Sequence, residues 1–327
     1  MTIKVDSSFS EQVTKLRSDY RLRRARTNLA RPVIDVKLVA GQKPSVIYWY
    51  ENGTEQGQCV RLYDVPGTLS GDILRLHQNL PTRSDHFEVD GNEIRSIVYL
   101  ELPVPLENDF EDVSDLVTPL PLIEVDEKLH FVKKGKYRSE INNLLVCQNG
   151  SCPGQPSSRH LIQLLGRSDK NELVFEKLLT RVSVLPKFSD LATYKRWLLQ
   201  IIEALEVLHS CGIVHRDLRA ENLLFSHDGS RLVVCDLEGR WGQRTAPEIA
   251  LKGLDAGWTT KSDVYDIGHC IECMVYANAP ITQQVEWPVP APLDAIVNAC
   301  TREAPGDRPT LEDLHAMVEA IDTDAQI

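Results

Sequence analysis

The spacing of apolar residues changes along the chain, and each change marks a different predicted element. Residues 8 to 30 have the spacing of a helix with a polar, basic surface, which Pro32 ends. From Val33 onward, short apolar runs between turn signals such as Asn52-Gly53 predict strands and one short helix. The strands are Val33–Val39, Ser45–Tyr50, Cys59–Tyr63, Asp85–Val89 and Ile94–Leu100, and the helix runs from about Ser70 to Gln78. Residues 1–112 are therefore predicted to form a basic helix and a small α+β region.

A second strand-rich stretch follows the acidic segment Glu107–Asp115, which has little periodicity and is predicted to be a linker or surface loop. Its predicted elements are strands Leu120–Val125, Leu129–Lys133, Leu161–Leu165 and Glu172–Leu178, and a helix from about Tyr137 to Cys147. From Ser189 the pattern becomes helical, with a long helix capped by Ser189-Asp190 and then Ser262–Val275, Leu293–Cys300 and Leu311–Ala320. A strand-rich half before a helix-rich half predicts an α+β fold of two lobes with a cleft between them.

Composition excludes several classes of function. The chain has 327 residues, 42% of them hydrophobic and 25% charged, as in soluble globular proteins. No apolar run is long enough to span a membrane and the N-terminus lacks a signal sequence, so we expect a cytoplasmic protein, with the nucleus as the alternative. The net charge of −11 argues against nucleic acid as the main partner.

Two local features have alternative interpretations. Lys15 to Arg31 contains seven basic residues and a single acid, Asp19. This stretch is either a solvated helix face or a docking surface for an acidic partner or a membrane surface. The eight cysteines are predicted to be free thiols, and Cys270-x-x-Cys273 is predicted to be core rather than a metal site, because no second ligand pair has zinc-finger spacing.

The residues that carry chemistry are concentrated between Ile213 and Gly239. Residues 215–222 read H-R-D-L-R-A-E-N, and D-L-E-G follows at 236–239. An Asp228-Gly229 turn between apolar runs predicts a β-hairpin that separates the two. Asp217, Asn222 and Asp236 should therefore lie close together around one small hairpin.

Residues 215–222 resemble the catalytic loop of protein kinases, H-R-D-L-x-x-x-N. The resemblance extends over roughly Leu116 to Ile321 and implies a two-lobed protein-kinase-like domain, similar to the small divergent kinase-like proteins of fungal genomes. It implies that Asp217 accepts a proton from the attacking hydroxyl group and that Asn222 holds Mg²⁺. Arg219 could clamp the γ-phosphate. His215 and Arg216 would have structural roles.

Three further motifs match the family in order. Asp236 stands where the family has the Asp of D-F-G, the principal Mg²⁺ ligand, but Leu237 replaces Phe and Glu238 replaces Gly. Ala246-Pro247-Glu248 matches A-P-E, and the resemblance implies that Glu248 pairs with Arg308. It also implies that Asp263 ties down the backbone of the catalytic loop. Asp236 to Glu248 is only 13 residues, shorter than is usual in the family, and Thr245 is its single hydroxyl residue.

The residues that resemble the family's nucleotide-binding segments lie upstream of residues 215–222. Leu129–Lys133 resembles the V-A-I-K strand, which implies that Lys133 contacts the α- and β-phosphates and pairs with Glu140; Lys134 is the alternative lysine. Residues 174–178 resemble the family's strand end and hinge, which implies that Phe175 would be the gatekeeper and that the backbone of Glu176 and Leu178 would be available to adenine. A glycine-rich loop is missing, since no Gly occurs from Val113 to Lys134.

These observations predict a kinase-like domain at 113–322, with an N-lobe of about 113–178 and a C-lobe of about 185–322. The upstream region either stands apart or completes the small lobe by contributing strands near Ile94–Pro103. The predicted function is ATP-dependent phosphoryl transfer with Mg²⁺, or with Mn²⁺, to a protein or small-molecule hydroxyl group. The alternatives are a pseudokinase that acts as a nucleotide-binding or scaffolding module, and a small-molecule kinase on the same fold.

Overall fold

The computed structural model describes residues 8–25, 33–39, 43, 45–53, 57–65, 67–76, 85–101, 110–150, 156–239, 246–250, 257–277 and 288–323. The described residues form two compact units. The first, called the kinase-like unit below, contains those of 8–14, 110–277 and 288–323. The second, the N-terminal unit, contains those between 15 and 101. The predicted boundary at residue 112 and the predicted lobe boundaries stay predictions.

The N-terminal unit is an α+β structure built on one mixed sheet. Five strands lie in the order of the sequence, and β3 and β4 are parallel while the other neighbours are antiparallel. A parallel pair needs a crossover connection, which helix α2 supplies. The elements are β1 (Val33–Val39), β2 (Ser45–Tyr50), β3 (Gln58–Tyr63), α2 (Leu69–Leu76), β4 (Phe87–Asp90) and β5 (Glu93–Ser96), preceded by α1 (Phe9–Ala25).

Both faces of this sheet are covered, which buries every residue of β2. On one face Tyr48 and Tyr50 belong to a cluster that includes Ile73 and Leu74 of α2. On the other face Trp49 lies beneath the segment that follows β5, and its Nε1 donates to the carbonyl oxygen of Leu100 at 2.8 Å.

The predicted strand Ile94–Leu100 is too long at its C-terminal end. The structure pairs only Glu93–Ser96 with β4, and Ile97, Tyr99 and Leu100 leave the ladder to pack over Trp49. The strand near residue 94 therefore belongs to the five-stranded sheet. It does not extend the small-lobe sheet described below, as one of the two interpretations of the upstream region supposed.

Only part of the basic stretch in α1 can be described. Lys15 forms an exposed ion pair with Asp19 at 2.7 Å, whereas Arg17 is buried, with 6% of its surface exposed. Arg17 is therefore not part of a solvated basic face. The side chains of residues 21–31 lie outside the described residues, and the acidic partner stays a prediction.

The small lobe of the kinase-like unit contains a three-stranded antiparallel sheet in the order β6-β8-β7, with helix α4 before β7 in the chain. Strand β6 is an edge strand among the described residues. The elements are α3 (Ser114–Val117), β6 (His130–Lys133), α4 (Arg138–Cys147), β7 (Leu164–Arg167) and β8 (Leu173–Glu176).

The predicted strand Leu120–Val125 is wrong, because only an isolated bridge from Leu122 to Arg167 forms there. Arg167 donates its N–H to the carbonyl of Pro121, and Ile123 donates to the carbonyl of Arg167, both at 2.9 Å. Proline has no N–H to add to a longer ladder. The close approach requires Gly166, since a Cβ there would lie 2.3 Å from the carbonyl oxygen of Pro121.

The large lobe is mainly helical and is built around α6, whose N-cap Asp190 accepts from the N–H of Thr193 at 2.8 Å. Trp197 of α6 is fully buried and donates to the carbonyl of Gly229, which fixes the predicted hairpin against the helix. The elements are β9 (Leu179–Thr180), α5 (Arg181–Val184), α6 (Leu191–Ser210), β10 (Leu223–Phe225), β11 (Leu232–Val234), α7 (Pro247–Ala250), α8 (Thr260–Tyr276), α9 (Leu293–Cys300) and α10 (Leu311–Glu319).

The first two turns of α1 pack on the kinase-like unit. Phe9 and Val13 are fully buried, and the ring of Phe9 meets that of Tyr194 edge to face at 5.6 Å. The hydroxyl groups of Ser10 and Ser189 form a hydrogen bond of 2.7 Å. A segment at the start of the chain therefore completes the core of a unit whose other residues begin near position 110.

The described cysteines are free thiols, and Cys270 and Cys273 are buried on α8. Cys152 lies outside the described residues. Among the helices that can be described, none has the length and apolar character needed to cross a membrane.

Candidate active site

The loop that follows α6 is held by one buried carboxylate. Asp263 of α8 has no exposed surface, and its oxygens accept hydrogen bonds from the backbone N–H groups of His215 at 2.9 Å and Arg216 at 3.0 Å. Nε2 of His209 is 2.8 Å from the same carboxylate. Arg216 has a φ of 69°, an uncommon conformation for a non-glycine residue, and these contacts hold its backbone there.

His215 links this loop to the segment after β11. The imidazole is 1% exposed; its Nδ1 accepts from the N–H of Asp217 at 3.3 Å, and its Nε2 lies 3.0 Å from the carbonyl of Cys235. A ring nitrogen that accepts must be unprotonated and one that faces a carbonyl must donate, so these contacts fit the neutral Nε2–H tautomer. This contact links Cys235, which precedes Asp236, to His215, the first residue of H-R-D.

Asp217 and Asn222 form one hydrogen-bonded unit. The Asn222 amide group donates to the Asp217 carboxylate at 2.9 Å and to its carbonyl at 2.8 Å. Burial raises the pKa of Asp217, and the positive charge of Arg219 opposes this shift. The Oδ1 of Asn222 accepts no hydrogen bond from the part of the chain that the structure describes, and Asn222 lines the cleft between the lobes.

Lys133, Glu140 and Asp236 meet in the same cleft. The Nζ of Lys133 is 2.5 Å from the carboxylate of Glu140 and 3.8 Å from that of Asp236. Burial lowers the pKa of Lys133, but the charge and hydrogen bond of Glu140 outweigh it and the pKa is raised. Of the two lysines at the end of β6, it is Lys133 that the structure brings into the cleft.

Asp236 has a left-handed backbone, with a φ of 65°. Such a conformation is costly for a non-glycine residue and persists only where the surroundings enforce it. The Cys235 carbonyl bound to His215 and the N–H of Cys235, which donates to the carbonyl of Asn222 at 3.0 Å, fix the chain immediately before Asp236. The result is that the Asp236 side chain lines the same cleft as Asn222.

The cleft has a volume of about 290 Å³ and separates into a polar and an apolar part. The polar part contains the side chains described above. Phe175, 4% exposed, and the segment that follows it form the apolar part with residues from β6 and β10. The apolar lining residues are Phe131, Ile162, Phe175, Leu178 and Leu224, and Glu176 and Thr180 also contribute.

Part of this chain is similar to known proteins. The protein kinase domain family model matches residues 156–239, which contain the loop, the hairpin and Asp236. The chain is 41% identical over 93 residues to rice cyclin-dependent kinase F-1 (24% of this chain, 19% of that protein). It is 29% identical over 163 residues to the serine/threonine-protein kinase-like protein At5g23170 of Arabidopsis thaliana (41% of this chain, 46% of that protein).

These divergent, partial matches support membership of the protein-kinase superfamily. A further relative is serine/threonine-protein kinase PKH3 of Saccharomyces cerevisiae, 36% identical over 87 residues, 27% of this chain and 9% of that protein. The chain thus spans less than half of the length of these curated relatives. The predicted α+β, two-lobed kinase fold is confirmed.

The segment after the kinase D-F-G position departs from the family pattern. Leu237 is buried, and its carbonyl accepts from the side-chain amide of Asn143 at 2.7 Å. Burial and the negative charge of Asp236 raise the pKa of Glu238 to about 7. Glu238 forms no hydrogen bond or ion pair with a described residue. A fourth carboxylate therefore lies near Asp236, Glu140 and Asp217.

Asn143 is a site residue that the sequence reasoning missed. It lies three positions after Glu140 on α4, so both side chains share one helix face. Glu140 reaches Lys133, and Asn143 reaches the backbone of Leu237. The available signal was this spacing on a helix that already carried a predicted site residue.

Glu248 and Arg308 form a bidentate ion pair with two contacts of 2.7 Å. The Arg308 side chain is fully buried and its guanidinium lies 4.7 Å from the centre of the Tyr265 ring. The pair joins helix α7 to the loop before α10. Residues 240–245, including Thr245, lie outside the described residues.

Arg219 is 40% exposed and its Nε is 3.3 Å from the carboxylate of Glu221, which also pairs with Arg181 at 2.8 Å. Glu221 therefore pairs with two guanidinium groups, of which that of Arg219 also acts on Asp217. Arg219 does not line the cleft between the lobes.

Proposed function

We propose that this protein is an ATP-dependent phosphotransferase that moves the γ-phosphate to a hydroxyl group. The observation that carries the proposal is one cleft lined by Lys133, Glu140, Asn222 and Asp236, with Asp217 hydrogen-bonded to Asn222 at its edge. Phosphoryl transfer depends mainly on positioning and on stabilising charge, and these side chains are the types that it needs.

The donor set fits a hard divalent cation. Asp236 and the Oδ1 of Asn222 offer oxygen atoms to the cleft, and Mg²⁺ is commonly held by one or two protein ligands together with phosphate oxygens and water. Among the described residues no three His, Cys, Asp or Glu side chains converge as a metal site. When bound, Mg²⁺ or Mn²⁺ would neutralise charge on the phosphates.

The chain's own residues have distinct roles in this proposal. Asp217 takes the proton of the acceptor hydroxyl, and its raised pKa makes it a stronger base than a solvated aspartate. Lys133, oriented by Glu140, binds the α- and β-phosphates, and the backbone of Glu176 and Leu178 binds adenine. Arg219 stabilises charge at the γ-phosphate from the acceptor side.

The proposed acceptor class rests on the relatives and on the length of one segment of the chain. Serine/threonine kinases among the relatives make a protein hydroxyl group the default. The short interval from Asp236 to Glu248 leaves little platform for a protein substrate and favours a small-molecule acceptor as the alternative. A cytoplasmic or nuclear location remains part of the proposal.

A pseudokinase is the second candidate, and Glu238 is the observation that favours it. Its carboxylate stands beside Asp236 where the family has Gly, and like charges there oppose binding of nucleotide phosphates. The missing glycine-rich loop favours the same function. Such a protein would bind nucleotide, or a partner protein, without transfer.

The test compares wild type with Asp217→Asn and Asp236→Asn in ATP hydrolysis, with phosphate transfer to a generic protein acceptor measured alongside, in Mg²⁺ and in Mn²⁺. We expect turnover in wild type, loss in both variants, and nucleotide binding retained in Asp217→Asn. Binding without turnover in wild type would favour the pseudokinase. Absence of any nucleotide effect on wild-type melting temperature would refute nucleotide binding altogether.

A further inference from the structure

A short segment at the start of the small lobe lies against the first turn of helix α4. This segment, residues 110–117, is called the strap below and includes the acidic stretch before α3 together with α3 itself. Helix α4 begins at Arg138, and its N-cap residue, Tyr137, makes no side-chain hydrogen bond to the N–H groups of the first turn. Those N–H groups have no partner within a helix, so an acceptor from outside the helix, or water, must serve them.

The strap supplies such an acceptor. The carboxylate of Glu111 accepts a hydrogen bond from the N–H of Arg138, the first helical residue, at 2.7 Å. The N–H of Glu111 in turn donates to the carbonyl of Lys136 at 2.9 Å, which fixes residue 111 beside the end of the helix. The helix dipole also favours a negative charge at this end. Glu111 is therefore an external N-cap of α4.

Further contacts hold the strap in place. The guanidinium of Arg138 forms two hydrogen bonds of 2.6 Å to the carboxylate of Asp115 and one of 3.0 Å to the carbonyl of Asp112. The ring of Phe110 meets that of Tyr137 edge to face at 6.2 Å. Both partners of the ion pair are more than 40% exposed, and exposed pairs contribute little to stability. The strap thus has a defined position but is held by contacts that are individually modest.

The turn that the strap caps carries Glu140. This residue is the third of α4, is 3% exposed and forms the ion pair with Lys133 in the cleft. Helix ends open locally more easily than helix centres do. Because Glu140 belongs to the first turn, opening of that turn would separate its carboxylate from Lys133.

We propose that the strap positions Glu140, and through it Lys133, by supplying the cap that α4 itself lacks. Glu111 is the positioning residue, and it does not line the cleft. Anything that removes the strap from α4 would loosen the Lys133–Glu140 pair without touching the cleft. The action of Lys133 on phosphates rests on the function proposed above, whereas the cap does not depend on it.

Amide hydrogen exchange resolved by NMR, without nucleotide, tests the cap. Helical geometry bonds the N–H groups of Ile141 and Asn142 to carbonyls at the start of α4, so their exchange reports opening of the first turn. We expect Glu111→Ala to speed this exchange by about 2- to 30-fold, the effect of losing one helix cap. Glu111→Gln keeps an acceptor oxygen and should exchange as wild type does. Glu127→Ala is the matched control, because Glu127 is exposed in the same lobe and its side chain has no partner among the described residues.

Trace acetylation with acetic anhydride, again without nucleotide, tests the positioning step. Lys133 is held by Glu140, and the exposed Lys134 beside it is an internal standard. We expect Glu111→Ala to raise the labelling rate of Lys133 relative to that of Lys134, and Glu111→Gln to restore the wild-type ratio. A strap that only stabilised the lobe would leave this ratio unchanged.

Three results would overturn the proposal. Unchanged exchange of Ile141 and Asn142 in Glu111→Ala would show that the strap is not the cap. Faster exchange with an unchanged ratio of Lys133 to Lys134 labelling would show that the cap does not position Glu140. Exchange that rises equally at Ile201, in the middle of α6, would show a general loss of stability and no local cap. Neither measurement contains nucleotide, so a wild type that binds no ATP would refute the proposed function without deciding the cap.

Discussion

Replacing Asp263 by Asn is a sharp test of how the catalytic loop is held. His215 N–H and His209 Nε2 share one carboxylate oxygen, and Arg216 N–H uses the other. An amide has one accepting oxygen, and its other side carries two N–H donors. Whichever way the amide is turned, at least one buried donor then faces another donor.

The expected loss of unfolding free energy is estimated for the more favourable of the two orientations of the amide that Asp263→Asn would introduce. That orientation keeps both contacts to one oxygen and loses the contact from Arg216. A hydrogen bond to a charged group contributes about 1.5–3 kcal/mol, and a buried donor left without a partner costs about 1–3 kcal/mol. Both figures describe partly the same lost contact, so they do not add in full. We expect Asp263→Asn to lower the free energy of unfolding by about 2–4 kcal/mol.

Urea unfolding followed by far-UV circular dichroism measures this loss. Asp294→Asn is the matched control: Asp294 is half-buried and, among the described residues, its side chain accepts only from the N–H of Ala295, a bond that an amide oxygen can also accept. An unfolding free energy for Asp263→Asn within about 0.5 kcal/mol of wild type, the range of ordinary surface substitutions, would refute the reasoning. It would mean that the loop keeps its conformation without this carboxylate.

Two other substitutions test the small lobe by the same unfolding assay. Lys133→Met leaves the buried carboxylate of Glu140 without its partner, so we expect a loss near the lower end of about 3–5 kcal/mol, since Lys133 is itself one-third exposed. Adding Glu140→Leu should recover most of that loss, and no recovery would contradict the ion-pair argument. Gly166→Ala puts a Cβ 2.3 Å from the carbonyl of Pro121, and we expect a loss of about 1–3 kcal/mol. Gly306→Ala, with nothing within 4 Å of the new Cβ, should be neutral, and equal effects at both glycines would contradict the packing argument.

The sequence predicted strands and hairpins most reliably where alternation of apolar and polar residues ended at a nearby turn. Strands Val33–Val39 and Ser45–Tyr50 have the predicted bounds, because alternation and a nearby turn act over a few residues. The Asp228-Gly229 turn gave the hairpin for the same reason. The residue types of the kinase loop predicted the fold, since an eight-residue match leaves few alternatives.

The structural features that the sequence did not predict depend on contacts between residues far apart in the chain. The apolar run at 120–125 had strand-like composition, but Pro121 has no N–H to donate and only one bridge forms. Asn143 could not be recognised from its type, because its partner is a backbone carbonyl 94 residues away. The cap that Glu111 gives to α4 joins residues 27 positions apart, and no local pattern records that.

The contact between the start of α1 and the large lobe has a practical consequence for shortened versions of this protein. A chain cut to the residues that resemble a kinase would remove Phe9 and leave an empty apolar socket beside Tyr194. Its instability would then be attributed to the whole N-terminal unit, although two helical turns had caused it. A chain that keeps residues 8–25 and replaces only the five-stranded sheet by a linker would separate the two causes.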